Sequence, residues 1–179
     1  AVLACVLLAA CSVETAPAPT VTAAAPSCGL SADQIGAFID IPEGSFEKGA
    51  DALYPEERPA VRLHVAAFRI QTHEVTNAQF EQFVQATGYI TDAERSAASP
   101  DPAGGSALFI TPDASNGAAG NWLLSRGATW KTPEGPGSSI ARRMTMPVVH
   151  VSLNDARAYA QWANARLPSE EEWEYAATL

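Results

Sequence analysis

The side chains of this sequence that could do metal or acid–base chemistry are few and scattered. His73 and Glu74 are adjacent in THEVTN, but a zinc motif needs a second histidine at helical spacing, and none stands there. His64 and His150 lie in apolar runs typical of strands, where we expect them to bond the backbone. The acidic run SEEE at 169–172 has the pattern of a helix start before that of a metal site. These residues predict structure rather than a catalytic centre.

Thiols are the remaining reactive groups, and the sequence has three cysteines. Cys5 and Cys11 belong to the apolar run AVLACVLLAAC, which is typical of a signal peptide and too short to span a membrane. The run ends in LAAC, which resembles a bacterial lipobox, where cleavage makes the cysteine the lipidated N-terminus. Cys28 is then the one thiol left in the mature chain, and one thiol cannot make an internal disulfide.

We therefore expect residues 1–11 to be a truncated lipoprotein signal peptide ending at the lipidated Cys11, with an ordinary secretory signal as the alternative. Residues 12–34 are rich in Pro, Ala and Thr and predict a semi-extended tether. Two acyl chains already hold a protein stably on a membrane. The expected location is the periplasm, on a membrane, and Ser12 favours the outer membrane because inner-membrane retention uses Asp there.

Length and composition limit the number of domains and the classes of partner that the protein can bind. The chain of 179 residues has a formal net charge of −9 and 47% hydrophobic residues. One domain of ordinary size, over residues 35–179, fits this length. Nucleic acid is excluded as a partner, because its binding needs clustered Lys and Arg to replace counterions.

The elements that must position any site are short strands and capped helices. The runs AFIDIP, GSFEKG and VRLHVAAFRI, punctuated by Gly and Pro, predict short strands with tight turns. Thr76 and Gln79 form a capping box, and Gly88 is placed to end the helix. The inward face of that helix is Phe80, Phe83 and Val84. Ser152 caps a second helix, whose predicted inward residues are Ala156, Tyr159, Ala160 and Ala163.

Three further segments complete the prediction. The stretch between Arg95 and Trp130 is dense in small and polar residues and predicts a long loop, of the kind that is functional or disordered. PVVHVS at 147–152 predicts a buried strand. Ser169 and Glu172 form another capping box. The apolar face predicted for their helix is Trp173, Ala176 and Ala177.

The helix after Ser169 is well started, yet no later element follows for it to pack against. At the other end, the apolar run lacks the initial Met and the basic segment that precede it in a signal peptide. We interpret the sequence as a fragment and expect the remainder of the domain after Leu179.

Several stretches, taken in order, are similar to the formylglycine-generating enzymes, also called sulfatase-modifying factors. They run from FIDIPEGSFEKG through HEVTNAQF and TGYITDAER to GATWKTPEGPGSS and RLPSEEEWEYAA, covering nearly everything from Phe38 to Ala177. TGYITDAER together with GATWKTPEGPGSS resembles the sulfatase-maturing branch most specifically. The sequence departs at Lys48 and Leu153, expected to be buried positions where the family has Met and Trp, and at Asn164, where it has Gly.

The resemblance implies an α+β domain of C-type-lectin-like topology, with short strands, few helices and much irregular backbone, here incomplete. It implies oxidation by dioxygen of a cysteine in a CxPxR-type segment of an unfolded sulfatase, giving formylglycine. In the family two nearby cysteines bind Cu(I), since soft thiolates select that ion, and calcium-binding loops accompany them. All of these come after the EEEWEYAA helix. We therefore expect no catalytic or metal-binding residue in this fragment, which would be inactive alone.

The resemblance leaves two candidate substrate-binding residues within the chain. Trp122 matches a family tryptophan beside the peptide groove, and its alternative role is a core side chain anchoring a Gly-rich loop. Ala93 matches a small residue near the same groove, and its alternative is a close backbone approach. Trp130 is expected to pack. Two roles are open for Asp92, Glu94 and Arg95. They help to recognise the arginine of the substrate, or they form an exposed acidic turn.

Two functions of different classes stay open. The first is the copper-dependent oxidoreductase that matures sulfatases, acting in the full-length protein. The second is a non-catalytic binding or accessory lipoprotein on the same fold, which export favours because bacterial sulfatases are commonly modified before they leave the cytoplasm. A third class, the iron-dependent sulfoxide synthases, usually carries a helical domain ahead of this region, where this sequence has only the tether.

Overall fold

The computed structural model describes residues 36–50, 52–99, 105–112 and 120–179. The predicted signal peptide, the lipidation site at Cys11, the tether and Cys28 lie outside the described residues. In the described ranges the chain is a mixture of short helices and small sheets, as the composition of its turns and caps predicts.

The strands pair into small antiparallel sheets rather than one continuous sheet. Their bounds are β1 Phe38–Ile41, β2 Gly44–Lys48, β3 Val61–Val65, β4 Phe68–Gln71, β5 Ser106–Ile110 and β6 Asn121–Ser125. The described residues form three two-stranded sheets, β1–β4, β2–β3 and β5–β6. The β2–β3 hairpin is nested between β1 and β4 in the chain, and a short 3-10 helix at Pro55–Glu57 joins its two strands.

Each helix begins at a capping box, so the local sequence decides where it starts. The bounds are α1 Asn77–Thr87, α2 Asp92–Ala98, α3 Leu153–Trp162 and α4 Glu170–Ala177. Their reciprocal cap pairs are Thr76–Gln79, Thr91–Glu94, Ser152–Asp155 and Ser169–Glu172. Gly88 ends α1 in the left-handed conformation, with φ of +66°, as its position predicts.

The larger apolar cluster joins α1 to α3 and to the loop between β6 and α3. Phe80 and Phe83 are buried against Trp130 and Ile140, which confirms the predicted face of α1 and the packing role of Trp130. The rings of Phe80 and Trp130 meet edge-on at 5.4 Å, and Tyr159 stacks on Phe80 at 5.9 Å. On α3, Ala160 is buried as predicted, but Ala163 is exposed because it is the C-cap.

The smaller apolar cluster holds α4 against β2 and β3. Ile41, Val65 and Tyr175 are its buried members. The predicted face of α4 is therefore wrong in part: Tyr175 is 6% exposed, whereas Trp173 is 60% exposed and Ala177 is also exposed. The reason is the docking direction of α4: the ring of Tyr175 packs on Phe46 of β2 with centroids 5.8 Å apart, and Lys48 of β2 also pairs with Glu170 at 2.9 Å.

Two segments differ from their predicted secondary structure. The stretch between Arg95 and Trp130 is not a loop throughout, since α2 extends to Ala98 and β5 and β6 form a hairpin. PVVHVS is not a strand: Pro147 makes a single bridge to Thr76, and His150 has φ of +57°, which no strand accommodates. Pro147 also lacks the N–H that a ladder needs.

Lys48 and Leu153, where the sequence departs from the family that it resembles, were expected to be buried, but neither is fully buried. Leu153 is exposed at the start of α3, and Lys48 is half-buried in its ion pairs with α4. Asn164 has φ of +53°, a conformation that Gly adopts freely and Asn tolerates, which explains the exchange.

Among the described residues, every helix falls short of the length and apolar character required to cross a bilayer.

Candidate functional site

The β5–β6 hairpin carries the predicted substrate residue Trp122 on an exposed apolar surface. Trp122 pairs with Phe109 across the strands, and their ring centroids are 5.2 Å apart. Trp122 is 68% exposed and is not a core side chain. The other exposed large apolar residues of the hairpin are Ile110, Leu123 and Leu124. Because side chains alternate along a strand, Leu124 lies on the same face as Phe109 and Trp122, whereas Ile110 and Leu123 lie on the other face. An exposed aromatic pair of this kind can cover an extended peptide, and proline rings pack well on such faces.

The base of this hairpin is tied to the rest of the domain by hydrogen bonds. The Gly105 backbone N–H donates to Ser96 Oγ at 2.7 Å, and Arg126 Nη2 donates to the Ser99 carbonyl. Ser106 Oγ lies 2.9 Å from His150 Nδ1. The first two bonds link the end of α2 to the hairpin, and the third links the hairpin to His150, just before α3.

Ala93, the other predicted substrate residue, lies in α2 and is buried. Trp122 lies three positions beyond the Ser106–Ser125 pair at the hairpin base, about 10 Å along the strand. The structure thus connects the two elements without placing the two side chains together at one exposed surface. The buried methyl group of Ala93 agrees with its alternative role, a small residue at a close backbone approach. A substrate contact at Ala93 stays a prediction.

The acidic residues of α2 are held in structural hydrogen bonds. Asp92 Oδ2 accepts from Ser152 Oγ at 2.5 Å, and Arg95 pairs with Asp92 Oδ1 at 2.5 Å. The bond from Ser152, with a smaller contribution from Arg95, lowers the pKa of Asp92. Asp92 is therefore a carboxylate that joins α2 to the start of α3. It is already paired with an arginine of this chain, Arg95.

Asp155 completes this junction from the opposite side. Its side chain is fully buried and accepts from the Ser152 backbone N–H at 2.8 Å, the Asp92 backbone N–H at 3.1 Å and Tyr89 Oη at 3.0 Å. Asp155 thus accepts from a free backbone donor at the start of α2, whereas Asp92 accepts from the side chains of Ser152 and Asn154 at the start of α3.

Glu94 connects α2 to the loop that contains Trp130. Lys131 Nζ lies 2.9 Å from Glu94 Oε1, and Trp130 Nε1 donates to Oε2 at 3.3 Å. Burial would raise the pKa of Glu94, but the Thr91 backbone N–H and the Lys131 ammonium outweigh burial and lower it. Glu94 is ionised near neutral pH and engaged in this ion pair.

His73 and His150 make structural hydrogen bonds. His73 Nε2 accepts from the Gly36 backbone N–H, while its Nδ1 lies 2.6 Å from the Glu74 carbonyl. His150 bonds a backbone carbonyl, that of Pro133, as predicted, whereas His64 is exposed on β3. The described part of the chain holds no cluster of three or more His, Cys, Asp or Glu suited to a metal ion. SEEE is the cap and first turn of α4.

Two clefts flank Arg166, away from the hairpin. One, of about 490 Å³, lies between α3 and the segment Ala165–Pro168, and the other, of about 540 Å³, lies between β3 and the start of α4. Arg166 forms two short bonds to Glu172, at 2.5 and 2.6 Å, which hold the pKa of Glu172 to about 2. Arg166 is thus engaged with Glu172, while Arg157 also lines the first cleft.

Three residues of the site escape prediction from sequence. Phe109 lies in a stretch predicted as a loop, so its pairing with Trp122 has no local signal. Asp155 is recognisable as a cap partner of Ser152, but not as a cap for α2. His150 carries no signal for its left-handed backbone or for its bond to the hairpin.

Comparison with known proteins agrees with the local sequence pattern. Residues 26–178 match the family model described as the sulfatase-modifying factor enzyme 1-like domain. The chain is 47% identical over 152 residues to the formylglycine-generating enzyme of Thermomonospora curvata, covering 78% of this chain and 48% of the relative.

Two further relatives give the same coverage. The formylglycine-generating enzyme of Mycobacterium tuberculosis is 44% identical over 158 residues, covering 78% of this chain and 50% of the relative. The inactive C-alpha-formylglycine-generating enzyme 2 of Bos taurus is 39% identical over 153 residues, covering 78% and 48%. The chain thus spans about half the length of these curated relatives.

Proposed function

Because the chain belongs to the sulfatase-modifying factor family, we propose that the whole protein matures sulfatases by oxidising one of their cysteines to formylglycine. The observation that carries this proposal is 47% identity over 152 residues to a protein named as a formylglycine-generating enzyme. We also propose the C-type-lectin-like topology for the complete domain, which the short strands and capped helices of this half support.

In this proposal the β5–β6 hairpin binds the unfolded sulfatase segment. Trp122 and Phe109 offer apolar rings to a CxPxR-type peptide, whose proline has a rigid apolar surface. The peptide's arginine is bound elsewhere, because Asp92 is paired with Arg95 and Glu94 with Lys131. Ala93 is buried in α2 and allows close packing there.

Copper is the proposed cofactor, with calcium as a further structural ion. Bound Cu(I) would supply the chemistry that couples dioxygen to thiol oxidation. Cys5, Cys11 and Cys28 lie outside the described residues, so the described residues contain no thiolate and do not fit a copper site. We assign no step of the reaction to them and propose that the ligands belong to the half of the relatives' length that this chain does not span.

We further propose that the protein is an exported lipoprotein anchored through Cys11. The sequence support is the LAAC pattern at the end of an apolar run and the Pro/Ala/Thr-rich stretch that follows it. Such an anchor places the enzyme at a membrane, with the outer membrane favoured by Ser12.

A second candidate function is a non-catalytic binding or accessory lipoprotein on the same fold. The observation that favours it is 39% identity to a relative named as inactive, over the same share of the chain. Such a protein keeps the hairpin surface and lacks the oxidising cysteines.

One experiment separates the two. The whole protein, expressed from its native gene, is loaded with Cu(I) and given a CxPxR peptide under air, and conversion of the peptide cysteine is followed by mass spectrometry. Conversion that stops under argon supports the oxidase. Peptide binding without conversion, in a protein whose full sequence has no close cysteine pair, supports the accessory function instead.

A further inference from the structure

The β5–β6 hairpin is positioned by polar bonds at its base rather than by core packing. Its large apolar residues belong to neither of the buried clusters, and most are about half exposed. A two-stranded hairpin by itself is marginally stable in water. Its orientation relative to the domain must therefore come from the few side-chain bonds that reach its first residue pair.

His150 links the hairpin to the loop after β6 through hydrogen bonds of both its ring nitrogens. Its Nε2 lies 2.8 Å from the Pro133 carbonyl, which can only accept, so Nε2 carries a proton. In the neutral ring Nδ1 then accepts from Ser106 Oγ at 2.9 Å. One imidazole thus bridges the first residue of β5 to the loop between β6 and α3.

The backbone of His150 has an energetically unfavourable conformation. Its φ of +57° places a non-glycine residue in the left-handed region, which is unfavourable and is retained where the surroundings require it. The neighbouring Val148 N–H bonds the Val75 carbonyl, and Ser152 caps α3, so both sides of His150 are fixed to the body of the domain.

We propose that His150 is a positioning residue for substrate: through Ser106 it sets the direction of the hairpin that presents Phe109 and Trp122. This inference rests on the proposed function for the role of the hairpin surface. The imidazole touches no reacting atom, and its effect on the peptide passes through Trp122. The Ser106 bond is the functional one, and the Pro133 bond orients the ring.

Two substitutions of His150 separate these bonds. The amide of Asn occupies the place of Nδ1 and also tolerates positive φ, so His150→Asn keeps the Ser106 bond and loses the Pro133 bond. The amide of Gln reaches the place of Nε2, so His150→Gln keeps the Pro133 bond and loses the Ser106 bond. Ser106→Ala is the matched variant that removes the same bond from the other side.

Amide hydrogen exchange of the whole protein tests positioning without substrate. In His150→Gln and Ser106→Ala, exchange of the amides that pair β5 with β6 should rise about fivefold, the effect of losing one hydrogen bond. In His150→Asn it should stay near the wild-type rate, and α1 amides should be unchanged in all three. Equal exchange in the Asn and Gln variants, or unchanged exchange in Ser106→Ala, overturns the proposal.

Binding of a fluorescently labelled CxPxR peptide tests the consequence. His150→Gln and Ser106→Ala should weaken binding about fivefold, and neither should weaken it further in a Trp122→Ala background. An additional loss in that background means that His150 does not act through Trp122. If the wild type binds no peptide while the exchange pattern is as expected, the proposed function fails and the positioning of the hairpin by His150 stands.

Discussion

Trp122 and Trp130 come from one stretch of sequence and occupy opposite environments. Trp122 is 68% exposed on the hairpin, whereas Trp130 is 1% exposed among the rings of the larger cluster. Local sequence does not distinguish them, since both follow small and polar residues. The difference arises because β5–β6 extends away from the core while the loop after it turns back.

Replacing these two tryptophans should separate binding from stability. Trp122→Ala should change the free energy of unfolding of the whole protein by about 0.5 kcal/mol or less, as at other exposed positions, and should weaken binding of a CxPxR peptide. Trp130→Ala should lower stability by about 3–5 kcal/mol, the range for large core aromatics. Denaturant unfolding and peptide titration measure the two effects, and unchanged peptide binding in Trp122→Ala would rule out the hairpin as the peptide surface.

The Arg166–Glu172 pair predicts a pH dependence of stability. Arg166 holds the folded-state pKa of Glu172 at about 2, below the ordinary 4.5. A lowered pKa stabilises the fold above the ordinary value, and that stabilisation is lost as the pH falls from about 4.5 to about 2. Because Arg166 is 67% exposed, solvent screening reduces the effect to about 1 kcal/mol.

Glu172→Gln is the variant that isolates this pair. It should flatten the stability profile of the whole protein between pH 4.5 and pH 2 and leave the slope elsewhere unchanged. Unfolding in urea at a series of pH values measures it. Glu174→Gln, which leaves the Arg166 pair intact, is the control, and equal flattening in both variants would contradict the assignment to Glu172.

At the scale of elements, α4 packs on the nested β2–β3 hairpin through the ring of Tyr175, beside the ion pair of Glu170 with Lys48. Tyr175 packs with Phe46 at 5.8 Å and with Ile41 and Val65. A Cβ on Gly44 would lie 2.0 Å from the Tyr175 hydroxyl oxygen, so glycine at this position of β2 lets the ring approach. The helix starts from its own capping box, but its place in the fold depends on this contact.

Tyr175→Ala should therefore detach α4 from the β2–β3 hairpin, whereas Trp173→Ala should leave α4 attached. The loss in free energy of unfolding should be about 3 kcal/mol for Tyr175→Ala, because a buried aromatic ring leaves a cavity. For the exposed Trp173 the change should be about 0.5 kcal/mol. Thermal unfolding and exchange of α4 amides in the whole protein provide the measurement, and a larger loss for Trp173→Ala would show that Trp173 is covered there.

At the scale of the whole molecule, location is predicted to depend on Cys11. The native gene product should incorporate a fatty-acid analogue and fractionate with membranes, because acyl chains bury apolar carbons in the bilayer. Cys11→Ser should abolish the label and release the protein. Cys28→Ser is the matched control and should keep the label; an unlabelled, soluble wild type would instead indicate an ordinary secretory signal.

The exposed apolar residues of α3 and α4 predict a second property of the whole molecule. Leu153, Trp162 and Trp173 are exposed, and the chain spans about half the length of the relatives that it matches. Residues 35–179 expressed alone should bind a hydrophobic dye and associate, because apolar patches of this kind do so in water. The whole protein should bind less dye, and a sharply melting monomer from residues 35–179 would contradict this prediction.

The sequence by itself determined the elements whose signals are local. Capping boxes at Thr76 and Ser169 and the cap at Ser152 located the starts of α1, α4 and α3, because a cap is satisfied within one turn of the chain. Short apolar runs punctuated by Gly and Pro located β1 to β4 in the same way. Family membership was also predictable, because motif order is carried by the chain alone.

Tertiary structure alone decided how those elements meet. The buried face of α4 follows from Tyr175 packing on Phe46 of β2 and from Glu170 pairing with Lys48 of β2, which no helical period encodes. Pairing of β5 with β6 needs two segments separated by a long insertion, so neither strand has a signal of its own. The positive φ of His150, its bond to Ser106 and the bond from the Asp92 backbone N–H to Asp155 likewise depend on partners distant in the chain. A local pattern cannot specify contacts of this kind, because their free energy exists only once the partner is in place.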